Sequence, residues 1–221
     1  MENARLARSL AEQEVLIKEL HHRAQNNLQI IASLLRLQAQ AASDEVVTAL
    51  LKESQHRVEA MALIHEQLSE SVGLGNVHLA GQASLLMANL FSAYGVDPAR
   101  TSGQVLVSPR PDGAPLVLGV DQAMPIGLIL NELISNALKH AFPQGRRGLI
   151  RIEARVEVQS HGRRVELAVI DDGVGVPEDL ATRQSKSLGL QIVEILTRQL
   201  RGTWELKREA GTVFRLSFPE G

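Results

Sequence analysis

Residues 120–142 read VDQAMPIGLILNELISNALKHAF. At 3.6 residues per turn, Ile126, Ile129, Leu130, Leu133, Ile134, Ala137, Leu138 and Ala141 share one broad apolar face. Glu132, Asn136, Lys139 and His140 recur at i, i+4, i+7 and i+8 on another, so the spacing predicts a helix with one polar wall. A wall facing only solvent is built more cheaply from Lys, Glu and Gln. Mid-helix Asn competes for backbone hydrogen bonds and costs roughly half a kcal/mol relative to Ala. The wall reads either as a solvated surface or as a site. As a site it offers an amide oxygen for a hard cation, a cation for phosphate one turn later and a carboxylate one turn earlier.

Bulk properties fit a compact protein of one or two domains: 221 residues, 44% apolar and 22% charged. No run approaches the roughly 18 uninterrupted apolar residues a membrane helix needs, and the opening MENARLARSLAEQEVLIKEL is charged throughout, unlike a signal peptide. The chain therefore reads as cytoplasmic with no membrane span. It has no cysteine, which excludes disulfides, thiolate metal sites and cysteine redox chemistry. A net charge of -2, one Trp, one Tyr and four Phe give neither a basic stripe nor stacking surface, so nucleic acid is not an expected partner.

From Ile17 the apolar residues Leu20, Ala24, Leu28, Ile31, Leu34 and Leu35 alternate by three and four, the seam of a helix that packs on another helix. AASDE breaks it, and Ser43 or Asp44 is positioned to cap a second helix. That helix carries the seam Val47, Leu50, Leu51, Ser54, Val58, Met61, Ile64 and Leu68 until Gly73 and Gly75. Two helices leave an apolar stripe uncovered. Pairing with a second copy into a four-helix bundle is the expected cover, and a monomer folded back on the rest of its chain is the other option. His22 lies about 200 degrees round the axis from Leu20 and Ala24, heading an exposed stripe with Gln25, Asn26, Gln29 and Ser33. His21 falls nearer the seam. An exposed imidazole is usually silent, but its ordinary pKa near 6.5 also suits a nucleophile or proton carrier.

After the glycines the texture changes. Val77 to Tyr94 reads as a short strand and a helix, and Val105 to Pro115 as Pro-rich and extended. The 120–142 helix follows, with Asp121 near its cap and Pro125 in its first turn. Ile150, Ile152, Ala154, Val156 and Val158 alternate with charged residues, and SHGR turns the chain back into VELAVID, an antiparallel hairpin with one wet face. It ends in Asp171-Asp172-Gly173-Val174-Gly175, where a carboxylate leaves a strand and the backbone can approach a ligand. A polar loop, a helix from about Ser187 to Leu200, and strands TWELK and TVFRLSF around Glu209-Ala210-Gly211 complete the chain. The order predicts an α+β fold: a helical hairpin over residues 1–72, then an α/β sandwich over 73–221 with a mixed sheet and helices on one face.

An Asn-bearing helix, a strand ending in D-x-G-x-G and a loop closing on a Gly-Leu helix, in that order, resemble the Bergerat ATP-binding fold of gyrases, Hsp90-type chaperones and histidine kinases. The hairpin chooses among these. His22-Arg23-Ala24-Gln25-Asn26 matches the H-R-x-x-N phosphoacceptor box, and KELHHRAQNNLQIIASLLRLQ is similar to the HRXXN histidine kinases, relatives of the HWE group, along its length. The resemblance covers nearly the whole chain from about Val15.

It implies the core of a two-component histidine kinase. ATP with Mg²⁺ would phosphorylate His22, with Asn26 closing the motif, and a response regulator receiver domain would take the group on an aspartate. The sensor is expected to be absent or separate. Asn136 would bind Mg²⁺, Glu132 support that shell or a water, and Lys139 and His140 contact phosphate or ribose. Asp171 would accept from the adenine amino group, Gly173, Gly175 and Gly189 admit the nucleotide, and 178–186 form the lid. Four positions depart from the pattern. Arg23 stands where many relatives place an acid, leaving Glu19 at i−3 as a candidate partner of His22. Gln25 stands where lysine is usual. Asn131 replaces the histidine of the HWE group and no W-x-E precedes the glycine turn. The last box has one glycine. Two other classes share parts of this set: a phosphotransfer or scaffold protein that has lost ATP binding, against which Asn136, Lys139, Asp171 and Gly173 stand, and a Bergerat ATPase or serine kinase, which has no need of the hairpin.

Overall fold

A computed structural model describes residues 2–70, 76–160, 162–176 and 188–221. The chain divides into two compact units, Met1–Val77 and His78–Gly221.

The first unit is two long helices, α1 (Glu2–Ala41) and α2 (Glu45–Glu70), packed on each other. Asp44 starts α2, its Oδ1 accepting the Val46 and Val47 amides at 2.7 and 3.2 Å, and Glu45 in the first turn complements the helix dipole. The seam keeps part of the expected one, with Leu51, Ser54, Val58 and Met61 of α2 half-buried and Ile64 buried, and differs elsewhere. On α1 the buried positions are Ala32 and Ala39, with Ala24, Leu28 and Leu35 half-buried, whereas Leu20 is 66%, Ile31 44% and Leu34 55% exposed. Small side chains let the two backbones approach closely, so the contact follows the alanines and the larger apolar residues are left beside it. On α2 the interior is Arg57, Ala60, Ala62 and Ile64, Arg57 being paired with Glu53, while Val47 and Leu50 stay exposed. Gly73 and Gly75, read as the end of the second helix, lie outside the described residues.

After β1 (Asn76–His78), the second unit runs α3 (Leu79–Ala93), β2 (Thr101–Val107), β3 (Val117–Gly119), α4 (Val120–His140), β4 (Gly148–Gln159), β5 (Gly162–Asp171), α5 (Leu188–Gln199), β6 (Thr203–Glu209) and β7 (Gly211–Pro219). The five-stranded sheet has the order β2-β4-β5-β7-β6; β2 pairs parallel with β4 and the other pairs are antiparallel. Alternation divides its faces. Ile150, Ile152, Ala154, Val165, Leu167, Val169, Phe214, Leu216 and Phe218 are buried on one, where α3, α4 and α5 pack. Gly103 shows how close: a Cβ there would collide with Met87 of α3. The opposite face is charged, with Arg215 and Lys207 flanking Glu205. The Lys207 hydrogen bond holds the Glu205 carboxyl below the usual carboxylate range.

Two local readings are corrected. The extended segment begins earlier than Val105, because Thr101 to Val107 forms the parallel edge strand, and the proline-rich part follows it as a loop. That loop is tied to the C-terminus by Arg110 Nε against Glu220 Oε1 at 2.9 Å. Pro125 lies one turn further into α4 than expected, as its sixth residue, so the Asp121 carbonyl has no amide at i+4 to bond. Among the described residues no helix is long and apolar enough to cross a membrane.

Candidate functional site

Most of α4 is interior. The polar wall expected along it is not a solvated surface: Glu132 is only 4% exposed, Asn131 and Ser135 are buried with it, and Asn136 is half-buried. Lys139 and His140 are exposed in the last turn, where their charge suits the helix C-terminus. The rotation of α4 is pinned beside Asn136, since Ser135 Oγ lies 2.7 Å from the hydroxyl of Tyr94, the residue closing α3.

The glycine turn after β5 docks on the end of this helix. Val174 N–H donates to the Ala141 carbonyl at 3.0 Å, and Gly173 lies so close to Ala141 that a Cβ would strike its Cβ and carbonyl. Asn136 precedes Ala141 by five residues, about 7.5 Å along the axis. Asp171 and Gly173 thus sit beside the end of α4, the helix that also carries Asn136 and Lys139. Asp171 is buried, and its Oδ1 accepts the Gly173 amide at 3.0 Å and the Thr212 amide at 3.2 Å. Oδ2 takes no hydrogen bond among the described residues. Gly211, at φ +136°, lies against the Asp171 carbonyl. Gly175 has φ +76° and packs on Arg208, whose Nη2 reaches the Val174 carbonyl at 3.4 Å. Gly189 is buried in the first turn of α5, and α5 packs against α4. The lid expected over 178–186 lies outside the described residues.

In the helical unit His22, Asn26, Gln29 and Ser33 are exposed, as the helical register predicts, whereas Gln25, expected in the same exposed stripe, is half-buried. The side chain of His21 lies outside the described residues. Glu19, the candidate partner of His22, is engaged by Arg23, whose Nε and Nη2 donate to Oε1 at 3.1 and 2.5 Å. Both groups are more than half exposed, and an i,i+4 pair of that kind contributes only about 0.3–0.5 kcal/mol. Glu19 is therefore held loosely.

Sequence reading missed Thr212, Tyr94 and Ser135. Thr212 owes its place to strand register, which sets it opposite Asp171. Tyr94 and Ser135 meet across 41 residues, with no local pattern to signal it.

The chain is similar to known proteins over most of its length. Residues 19–94 match the family described as "Histidine kinase", and residues 121–221 match "Histidine kinase-, DNA gyrase B-, and HSP90-like ATPase". Over 97% of its length the chain is 35% identical to "Sensor histidine kinase PdtaS" of Mycobacterium tuberculosis (strain ATCC 25618 / H37Rv), of which it covers 41%. It is 27% identical to "Blue-light-activated histidine kinase 2" of Erythrobacter litoralis (strain HTCC2594), covering 92% of this chain and 56% of that one. The solved histidine kinase domain of the Erythrobacter litoralis EL346 blue-light activated histidine kinase superposes with a TM-score of 0.65 at 25% identity, over 95% of this chain and 96% of that domain. The chain spans about two-fifths of the PdtaS length. With a histidine kinase module over residues 19–94 followed by the matching ATPase module over 121–221, and a histidine kinase relative aligned over 97% of it, the chain belongs to the histidine kinases.

Proposed function

We propose that this chain is the catalytic core of a two-component kinase, which transfers the γ-phosphoryl group of ATP to His22 and then to an aspartate of a response regulator receiver domain. The observation that supports the reading is the docking of the glycine turn that follows Asp171 on the end of α4, the helix that carries Asn136 and Lys139. Asp171 Oδ2 accepts from the adenine amino group while Oδ1 keeps the turn in shape. Lys139 and His140 meet phosphate or ribose. The glycines at 173, 175 and 189 leave room for backbone to reach the nucleotide.

A hard divalent cation suits the donors present, the half-buried amide of Asn136 with the buried carboxylate of Glu132 behind it. Bound there, Mg²⁺ would supply neutralisation of phosphate charge. Glu132 orders that shell or a water. The protein otherwise positions groups, as phosphoryl transfer requires. An imidazole nitrogen of His22 attacks the γ-phosphorus, the bond to the β,γ-bridging oxygen breaks, and its electron pair leaves with ADP. The imidazole proton passes to solvent. A carboxylate oxygen of the regulator then attacks the phosphorus and the P–N bond breaks, returning neutral His22 after protonation. Residues 1–72 serve as dimerisation and phosphotransfer hairpin and 73–221 as the ATP-binding domain, in the cytoplasm.

The test is incubation with γ-labelled ATP and Mg²⁺. His22→Ala loses the label while still binding nucleotide, His21→Ala keeps much of it, and the wild-type phosphoprotein is acid-labile and base-stable. Acid-stable label, or label retained in His22→Ala, overturns the proposal.

A further inference from the structure

Asp171 and Gly173 are framed by two side chains that phosphoryl transfer leaves without a task. Asp172 Oδ1 accepts the Leu149 amide at 2.7 Å, and the Asp172 carbonyl accepts Arg146 Nη2 at 2.9 Å. The exchange is reciprocal: the side chain from the glycine turn holds the start of β4, and the side chain from the segment before β4 holds the backbone of the turn. The Asp172 amide also donates to the Leu149 carbonyl at 3.3 Å.

The segment carrying Arg146 is fixed in turn. Its amide donates to the Pro143 carbonyl at 3.2 Å, the Gly148 amide donates to the Arg100 carbonyl at 3.0 Å, and the Phe142 ring covers Gly148 so closely that a Cβ would collide with it. Together with the Val174–Ala141 hydrogen bond this closes a ring: from the end of α4 through Arg146 to Asp172, along the turn to Val174, and back to Ala141. Gly173 is a link of the ring and Asp171, the carboxylate assigned to the base, adjoins it, its Oδ1 accepting the Gly173 amide; on α4, before it, are Asn136 and Lys139. Asp172 and Arg146 are both exposed, so burial in the core does not explain them.

We propose that Asp172 and Arg146 are positioning residues for the nucleotide. They set the angle between the base-reading turn and the phosphate-facing end of α4, and so govern affinity for ATP and its discrimination from GTP. The proposal rests on the nucleotide-binding reading above. Losing one such hydrogen bond loosens the turn without opening the core, so the effect falls on binding rather than on folding.

The experiment uses the whole chain, with calorimetric titrations of Mg·ATP and Mg·GTP and thermal melts without nucleotide. Asp172→Ala and Arg146→Met each weaken ATP binding roughly five- to ten-fold, the equivalent of about one hydrogen bond, and narrow the ATP/GTP ratio, with the melt close to wild type. Asp172→Asn, which keeps an acceptor oxygen, and Arg146→Lys, which keeps a charged donor, recover most of both. Wild-type affinity in both disrupting variants, an unchanged ATP/GTP ratio, a melt that falls in step with affinity, or failure of both conservative variants to rescue overturns the proposal. If the wild-type chain itself binds no ATP, the nucleotide reading falls and this one with it; wild-type binding that the variants leave untouched sinks the positioning role alone.

Discussion

At Asp171 the two carboxylate oxygens are in different situations. Oδ1 organises protein, taking amides from Gly173 and Thr212; Oδ2 takes no hydrogen bond among the described residues and on the proposed reading would meet the adenine amino group. An amide can keep the first arrangement, since its carbonyl oxygen accepts from the same two amides, but it brings an NH₂ where the adenine amino group needs an acceptor. Asp171→Asn therefore melts close to wild type while its ATP affinity falls by roughly ten-fold to over a hundred-fold, the worth of a hydrogen bond to a charged group. GTP, which presents a carbonyl at the equivalent ring position, binds the wild type correspondingly more weakly than ATP. Equal affinities for ATP and GTP, or a collapsed melt in the variant, would return Asp171 to a purely structural role. The D-x-G-x-G string is legible because Gly spacing is a local signal. The division of labour between the oxygens is not, because Thr212 reaches Asp171 through pairing of β5 with β7 across 41 residues.

Among the elements, α4 was the most legible and β2 and the α1–α2 seam the least. The 3.6-residue period of α4 survives folding because a helix between a sheet and two other helices needs apolar side chains on most of its circumference. Its one wall of Glu132, Asn136 and Lys139 stands out against that background. β2 reads TSGQVLV, weak in strand formers, and becomes a strand through its parallel partner β4 more than forty residues on and through Gly103, which lets α3 approach. The seam was legible only in part: Leu28, Leu35, Val58 and Ile64 face inward as expected, but Ala32, Ala39 and Ala60 were missed because alanine carries little weight in an apolar pattern, although it permits close helix contact. For α4 the prediction concerns Asn136. On the proposed reading its half-buried amide would supply one oxygen ligand to Mg²⁺, phosphate and water supplying the others. Asn136→Ala should lose most of the difference in ATP affinity measured with Mg²⁺ and with EDTA, since the half-buried position tolerates alanine in the fold. An undiminished Mg²⁺ dependence in the variant would remove the metal assignment.

For the whole molecule, the apolar surface left on the helical unit decides what has to be added. Leu20, Ile30, Leu34 and Leu37 of α1 and Val46, Val47 and Leu50 of α2 are each 44% exposed or more, although their spacing is that of packed helices. Full burial of one such side chain is worth about 1.5–3 kcal/mol, so covering several of them in two chains at once outweighs a typical association cost of roughly 4–15 kcal/mol. A second copy presents the same stripe and supplies the two further helices of a four-helix bundle. The wild-type chain is accordingly expected to be a dimer at micromolar concentration by sedimentation equilibrium. Leu34→Lys with Leu37→Lys should make it monomeric while its helical circular dichroism and ATP binding persist, because both side chains are already exposed in the single chain and lie outside the ATP-binding unit. A monomeric wild type, or a double variant that stays dimeric, would show that the stripe is not what holds two chains together.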